Sequence, residues 1–201
     1  MNYFITAIGT DSGKTLVSAI LTEMLQCDYW KPIQSGDPRD TLTVKFLVSN
    51  KFSSFHSESY LLKTPASPHY SAHVDGVNIE LDKILLPTNN QLVIEGAGGL
   101  LVPVNEEEVI ADLISQVRAE VVLVSNLYLG SINHTLLTVE ELKRRDLKVK
   151  GIIFNGESNP SSEEIILSKS GYPCLLRIPE LGEVNKEVVR KLARELNENW
   201  K

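Results

Sequence analysis

An apolar run that breaks into small residues and ends in Gly-Lys-Thr constrains this chain more than any other stretch. It reads Tyr3-Phe4-Ile5-Thr6-Ala7-Ile8-Gly9-Thr10-Asp11-Ser12-Gly13-Lys14-Thr15, a strand feeding a phosphate loop. Small residues let backbone N–H groups curl round a phosphate. The helix that follows offers its unpaired N–H groups and the positive end of its dipole to the same anion. In such a loop Lys14 reaches the β- and γ-phosphates and the Thr15 hydroxyl sits on Mg²⁺. The general pattern places a first Gly at position 8, where this chain has Ile8, with Gly9 one residue later. A bare Gly-Lys-Thr also describes an ordinary turn before a helix with an exposed lysine. The strand before it, and the helical spacing of Leu16, Ala19, Ile20 and Met24 after it, favour the nucleotide site.

Short apolar, β-branched runs alternate with helical periodicity along the rest of the chain. Tyr3–Ile8, Gln91–Ile94, Val121–Ser125, Val149–Phe154 and Cys174–Ile178 read as strands, with another short one before Lys31. Thr15–Gln26, Thr41–Val48, Val109–Val117, Ile132–Arg145, Glu163–Ser170 and Lys186–Asn197 read as helices. Continuous runs such as Val121-Val122-Leu123-Val124 imply strands covered on both faces. The fold class expected is α/β, a doubly wound, mostly parallel sheet with helices on both faces, of the P-loop NTPase type. Its ligands bind beyond the carboxyl ends of the strands. At 201 residues the chain fits one domain, 1–201.

Composition excludes more than it selects. No apolar run approaches the ~20 residues of a membrane helix, and the chain enters its first strand without an export signal. Cys27 and Cys174 show no metal-ligand spacing and read as core thiols, so a cytoplasmic location is expected. A net charge of −6 without a basic stripe argues against nucleic acid. Lys143-Arg144-Arg145 reads instead as the cationic last turn of a helix.

Beyond the loop, chemistry-bearing residues follow strands. Lys31 and Ser35 stand four apart in Asp28-Tyr29-Trp30-Lys31-Pro32-Ile33-Gln34-Ser35-Gly36, where a solvated turn is as good a reading as a site. Asp40 opens a helical pattern, either as an N-cap or as a metal-facing carboxylate. Ser49–Leu86 carries Pro65, Pro68, His56, His69 and His73 without a strong period, and its histidines lack the spacing of a zinc site. Leu92-Val93-Ile94-Glu95 is followed at once by Gly96-Ala97-Gly98-Gly99. That places an acid at a strand end, beside glycines that admit close backbone approach, as in a second phosphate and metal wall. Ser131 reads as the N-cap of the next helix, and Asn155-Gly156 and Pro179 follow later strands, as base contacts or as turn residues.

Four blocks in this order resemble the dethiobiotin synthetase family of ATP-dependent carboxylases. They are Gly9–Thr15, Lys31-Pro32-Ile33-Gln34-Ser35-Gly36, Glu95-Gly96-Ala97-Gly98-Gly99 and Leu129-Gly130-Ser131-Ile132-Asn133-His134, supported by Pro65–His69, Asn155 and Ile178-Pro179. The resemblance implies 7,8-diaminopelargonic acid, CO₂ and MgATP as reactants, and a homodimer with active sites at its interface. It implies Lys31, Lys14 and Thr10 as catalytic residues. Thr15, Asp40 and Glu95 become Mg²⁺ ligands, directly or through water. The nucleotide set becomes Asp11, Ser12, Gly13, Lys14, Thr15, Leu16, Asp40, Glu95, Gly96, Ala97, Gly98, Asn155, Gly156 and Pro179. Ser35 would meet the diamine, and Gly130, Ser131 and Asn133 the distal carboxylate. A rival reading is a nucleotide-gated switch of the partition or septum-site type. Those ATPases carry a signature Lys where this chain has Gly9 and have no use for Lys31 and Ser35 beside the phosphates. A glutamine-dependent amide ligase would need an added glutaminase domain.

Overall fold

β1 (Tyr3–Ala7) is apolar except for Thr6 and buried along its whole length. Only a strand covered on both faces tolerates that. The computed structural model describes residues 1–200. After β1 come α1 (Lys14–Leu25), β2 (Asp28–Trp30), β3 (Ile33–Ser35), α2 (Asp40–Leu47), β4 (Phe55–His56), β5 (Tyr60–Leu62) and α3 (Pro68–Asp75). Then follow β6 (Leu92–Glu95), α4 (Ile110–Val117), β7 (Glu120–Asn126), α5 (Ser131–Arg144), β8 (Val149–Asn155), α6 (Pro160–Ser170), β9 (Cys174–Ile178) and α7 (Lys186–Asn199).

Seven strands form one sheet in the order β4-β2-β6-β1-β7-β8-β9, and every pairing in it is parallel. Register partners share a face. Phe4 lies beside Ile94 and Val121 and points into one core with Leu113, Ile114, Val139, Leu142 and Ile166 of α4, α5 and α6. Tyr3 and Ile5 point the other way, into a core with Ile20, Leu21, Val44 and Leu192 of α1, α2 and α7. Burying each large aliphatic or aromatic side chain contributes about 1.5–3 kcal/mol, so the two layers clamp the sheet from both sides.

The strand order reverses at β1. The chain leaves it through α1 toward β2 on one side, and later crosses from β6 to β7 on the other. The crevice at the carboxyl ends of β1 and β6 is therefore where a doubly wound sheet receives its ligand.

The five long strands and six of the helices expected from the sequence are present within a few residues. The differences are local. Arg39, not Asp40, is the N-cap of α2, which leaves the Asp40 side chain free of capping. Gly130, with φ 109°, is the N-cap of α5, and Ser131 is its first helical residue. The stretch without a strong period holds β4, β5 and α3, the last started by Pro68 as its first helical residue. β5 pairs with β3 in a separate parallel two-stranded sheet. Lys143 and Arg144 occupy the last turn of α5 as expected, and Cys27 and Cys174 are free thiols.

Candidate active site

The phosphate loop is built by a hand-over from ladder to helix. Ile8 still donates its N–H to the Val124 carbonyl at 3.2 Å, which is why the position the general pattern gives to Gly is filled here by an apolar residue. The Gly9 carbonyl accepts from Ser12 Oγ at 3.1 Å and Lys14 Nζ at 3.2 Å. Gly13 has φ +96°, and a Cβ there would lie 2.3 Å from Asn155 Nδ2, which itself donates to the Ser12 carbonyl at 3.0 Å. Asp11 also holds a positive φ, 55°. β8 thus clasps the loop through Asn155 while α1 begins at Lys14.

This clasp makes Gly13→Ala a sharp test. A side chain at that φ costs about 1–3 kcal/mol, and the added methyl displaces the Asn155 amide. The expected result is a lower melting temperature and ADP binding at least ~10-fold weaker, the equivalent of about 1.4 kcal/mol, both read by calorimetry.

Glu95 closes the second wall. It ends β6 and is 1 % exposed; Oε1 accepts from Thr15 Oγ1 at 2.9 Å and Lys31 Nζ at 3.2 Å, and Oε2 accepts from Tyr29 OH at 2.9 Å. Gly96 follows because a Cβ there would strike Phe4 at 2.8 Å. Lys31, also buried, places its ammonium between Glu95 and Asp40, with which it forms a second ion pair. Burial alone would lower the Lys31 pKa, but Glu95 and then Asp40 outweigh it and hold the ammonium above its usual value. At Lys14 burial wins over the nearby carboxylates, and its pKa is lowered. Burial first, and Glu95 next, push the Tyr29 phenol well above the ordinary range.

Asp40 is placed by its neighbours. Its own N–H donates to Gln34 Oε1 at 3.1 Å, and Gln34 Nε2 donates to the Gly36 carbonyl at 3.0 Å. Glu58 grips both flanking residues, accepting from Thr41 Oγ1 at 2.7 Å and pairing with Arg39.

Thr10, Asp11, Gly13, Lys14, Thr15, Lys31, Ser35, Asp40, Glu95, Ala97 and Gly98 line one cavity of 760 Å³, at the upper end of the usual range for small-molecule sites. Ser35 Oγ is buried, with no hydrogen-bond partner among the described residues. Ser12 lies within the same loop, Leu16 on the first turn of α1, and Gly96 beneath the wall. Other expected residues lie apart. Gly130 and Ser131 line a separate cavity of 450 Å³ with Glu157 and Asn159, while Asn133 and Pro179 are exposed and Gly156 is half-buried. Tyr29, Gln34 and Glu58 are residues of this centre that sequence reasoning missed. Their partners lie between two and 66 positions away, and strands of three residues give no readable period.

The sequence model of the AAA domain family matches residues 1–188. An ATP-dependent dethiobiotin synthetase of Cytophaga hutchinsonii is 58% identical over 201 residues, covering 98% of this chain and 98% of that protein. The chain belongs to the dethiobiotin synthetase family. The synthetase of Christiangramia forsetii is 51% identical, covering 96% of this chain and 94% of its own. Among solved structures, the septum site-determining protein MinD of Pyrococcus horikoshii, complexed with Mg-ADP, aligns with a TM-score of 0.59 at 15% identity. The alignment covers 98% of this chain and 97% of that one. A ParA family ATPase of Chlorobium tepidum aligns with a TM-score of 0.56 at 14% identity, covering 98% and 90%. At such identities these two structures show the fold alone, whereas the two synthetases are 58% and 51% identical over nearly full length. The synthetase family is therefore favoured over the switch reading.

Proposed function

We propose that this chain is an ATP-dependent dethiobiotin synthetase, a carbon–nitrogen ligase that closes a ureido ring on 7,8-diaminopelargonic acid with CO₂ and ATP. The observation that carries the reading is that Lys31 and Ser35 open into the same cavity as the phosphate loop. Such residues are superfluous to a protein that only binds and hydrolyses nucleotide.

One amine of the substrate takes up CO₂ to give a carbamate and releases a proton. A carbamate oxygen attacks the γ-phosphorus and ADP leaves, giving a mixed carbamic–phosphoric anhydride. The second amine attacks the anhydride carbonyl, a C–N bond forms, the C–O bond to phosphate breaks, and phosphate and a proton depart. Phosphoryl transfer leaves the protein mainly positioning and electrostatics. Lys14 and the N–H groups from Thr10 to Thr15 would hold the triphosphate. Lys31 would turn its ammonium to the carbamate, and Ser35, on the lining of the same cavity, would meet the diamine.

The Thr15 hydroxyl, Asp40 and Glu95 bring hard oxygens to the lining of one cavity, a donor set that suits Mg²⁺. Bound with ATP there, the ion supplies charge neutralisation on the phosphate oxygens. Among the described residues no group of three His, Cys, Asp or Glu side chains offers an alternative metal site.

Within one chain, Gly130 and Ser131 border a different cavity, so a role for them with Asn133 at the substrate's distal carboxylate calls for a second subunit. Fully exposed Leu129 and exposed Leu137 beside them support a homodimer. No helix among the described residues is long and apolar enough to cross a membrane, and together with the free thiols this supports a cytoplasmic enzyme. ADP release measured with MgATP and bicarbonate tests the function. It should require the diamine, and release indifferent to the diamine would return the switch reading.

A further inference from the structure

Glu95 has two carboxylate oxygens and the site uses them differently. Oε1 faces the phosphate loop and Lys31, while Oε2 faces into the protein and accepts from the Tyr29 hydroxyl at 2.9 Å. Tyr29 is fully buried in the middle of β2, paired with Val93 of β6 on one side and Phe55 of β4 on the other. Its ring belongs to the core beneath α1 and α2, with Phe55 at 6.3 Å. The phenol is therefore held by core packing, and Tyr29 is not part of the cavity lining. A carboxylate gripped at one oxygen by a fixed donor loses the freedom to rotate about its terminal bond, and its other oxygen keeps one direction.

We propose that Tyr29 is a positioning residue of this centre: by holding Oε2 of Glu95, it aims Oε1 at the place where Mg²⁺ joins the nucleotide. The inference rests on the reading of Glu95 as a metal-facing carboxylate. It adds a residue from the neighbouring strand that acts through Glu95. Without the hydroxyl, Oε2 would be a buried acceptor with no partner, and the carboxylate would turn toward Lys31 or Thr15, its remaining donors.

The test is a set of Mg²⁺ titrations in the presence of ADP, followed by calorimetry, on the full chain and on Tyr29→Phe, Glu95→Gln and the double variant. Tyr29→Phe keeps the ring and its packing, so the fold is retained, which circular dichroism checks. Loss of a group that orients a metal-facing ligand typically weakens metal binding about 10–100-fold, and that loss is expected for Tyr29→Phe. ADP binding in EDTA should be unchanged. In the Glu95→Gln background, removal of the hydroxyl should produce no further loss, because a residue that acts through Glu95 has nothing left to act on. An unchanged Mg²⁺ dependence in Tyr29→Phe, or the same fold-loss in both backgrounds, overturns the proposal. If Glu95→Gln weakens Mg²⁺ binding and Tyr29→Phe does not, the reading of Glu95 stands and only the role of Tyr29 falls. If Glu95→Gln leaves Mg²⁺ binding unchanged, the reading of Glu95 falls and the role of Tyr29 falls with it.

Discussion

Replacing Lys14 with Gln is expected to lower turnover at least about 10²–10³-fold, the usual loss when a preorganised charge-stabilising donor is removed, while leaving the protein as stable as before or slightly more so. The two halves of that expectation have one cause. Lys14 is buried against the loop, with the Gly9 carbonyl at 3.2 Å as its hydrogen-bond acceptor, and burial lowers its pKa despite the surrounding carboxylates. A lysine whose folded pKa is lowered is charged at a cost to the fold. That cost is fully present below the folded value and is relieved as pH rises from there toward the ordinary lysine range. The fold bears this cost to place an ammonium in the phosphate loop. A neutral side chain of similar length removes the cost together with the function. Steady-state assays beside thermal melts at pH 7 separate the two effects, and near-normal phosphate release by the variant would falsify the assignment of the loop.

Lys31→Met should behave differently, losing both activity and stability. Here the folded pKa is raised, because Glu95 and Asp40 together outweigh burial. The stabilising contribution of Lys31 is therefore present at neutral pH and disappears only as pH rises through the folded value, above the ordinary lysine range. Removing the ammonium leaves Glu95, fully buried at its side chain, facing Asp40. Breaking one partner out of a buried ion pair costs about 3–5 kcal/mol. Asp40 is partly exposed, which places the expected loss at the lower end of that range. If Asp40 and Glu95 hold Mg²⁺ as proposed, addition of MgADP should restore much of the lost melting temperature, because the ion would supply the positive charge that these carboxylates lose with Lys31. Melting of the variant with and without MgADP is the check. A variant as stable as the parent without ligand would mean that the ion pairs contribute nothing to the fold.

Much of this architecture is legible in the sequence because long parallel strands have a simple signature. Runs such as Val121-Val122-Leu123-Val124 are apolar without alternation, and only a strand buried on both faces accommodates them. The residues that end such strands, Gly9 to Lys14 after β1 and Glu95 at the end of β6, inherit their place at the ligand edge from topology alone. The short strands escape detection for the opposite reason. β3, β4 and β5 hold two or three residues each, too few to display a period, and they exist because neighbouring strands offer them a ladder. Asp40 marks a further limit: from sequence it fits an N-cap as well as a functional acid. In the structure Arg39 takes the cap position and Asp40 pairs with Lys31. That choice depends on Gln34 and Glu58, which fix the start of α2 from outside it. Tyr29 lies 66 positions from its partner Glu95, so no local pattern announces their contact.

Carbon-13-labelled bicarbonate, supplied with MgATP and 7,8-diaminopelargonic acid to the purified protein, tests the reaction itself when products are followed by mass spectrometry. The expected product is a cyclic urea whose carbonyl carries the label, formed in step with ADP and phosphate and absent when the diamine is left out. Continued ATP hydrolysis with no labelled cyclic product would contradict it, and would leave the cavity shared by Lys31, Ser35 and the phosphate loop without the reaction assigned to it.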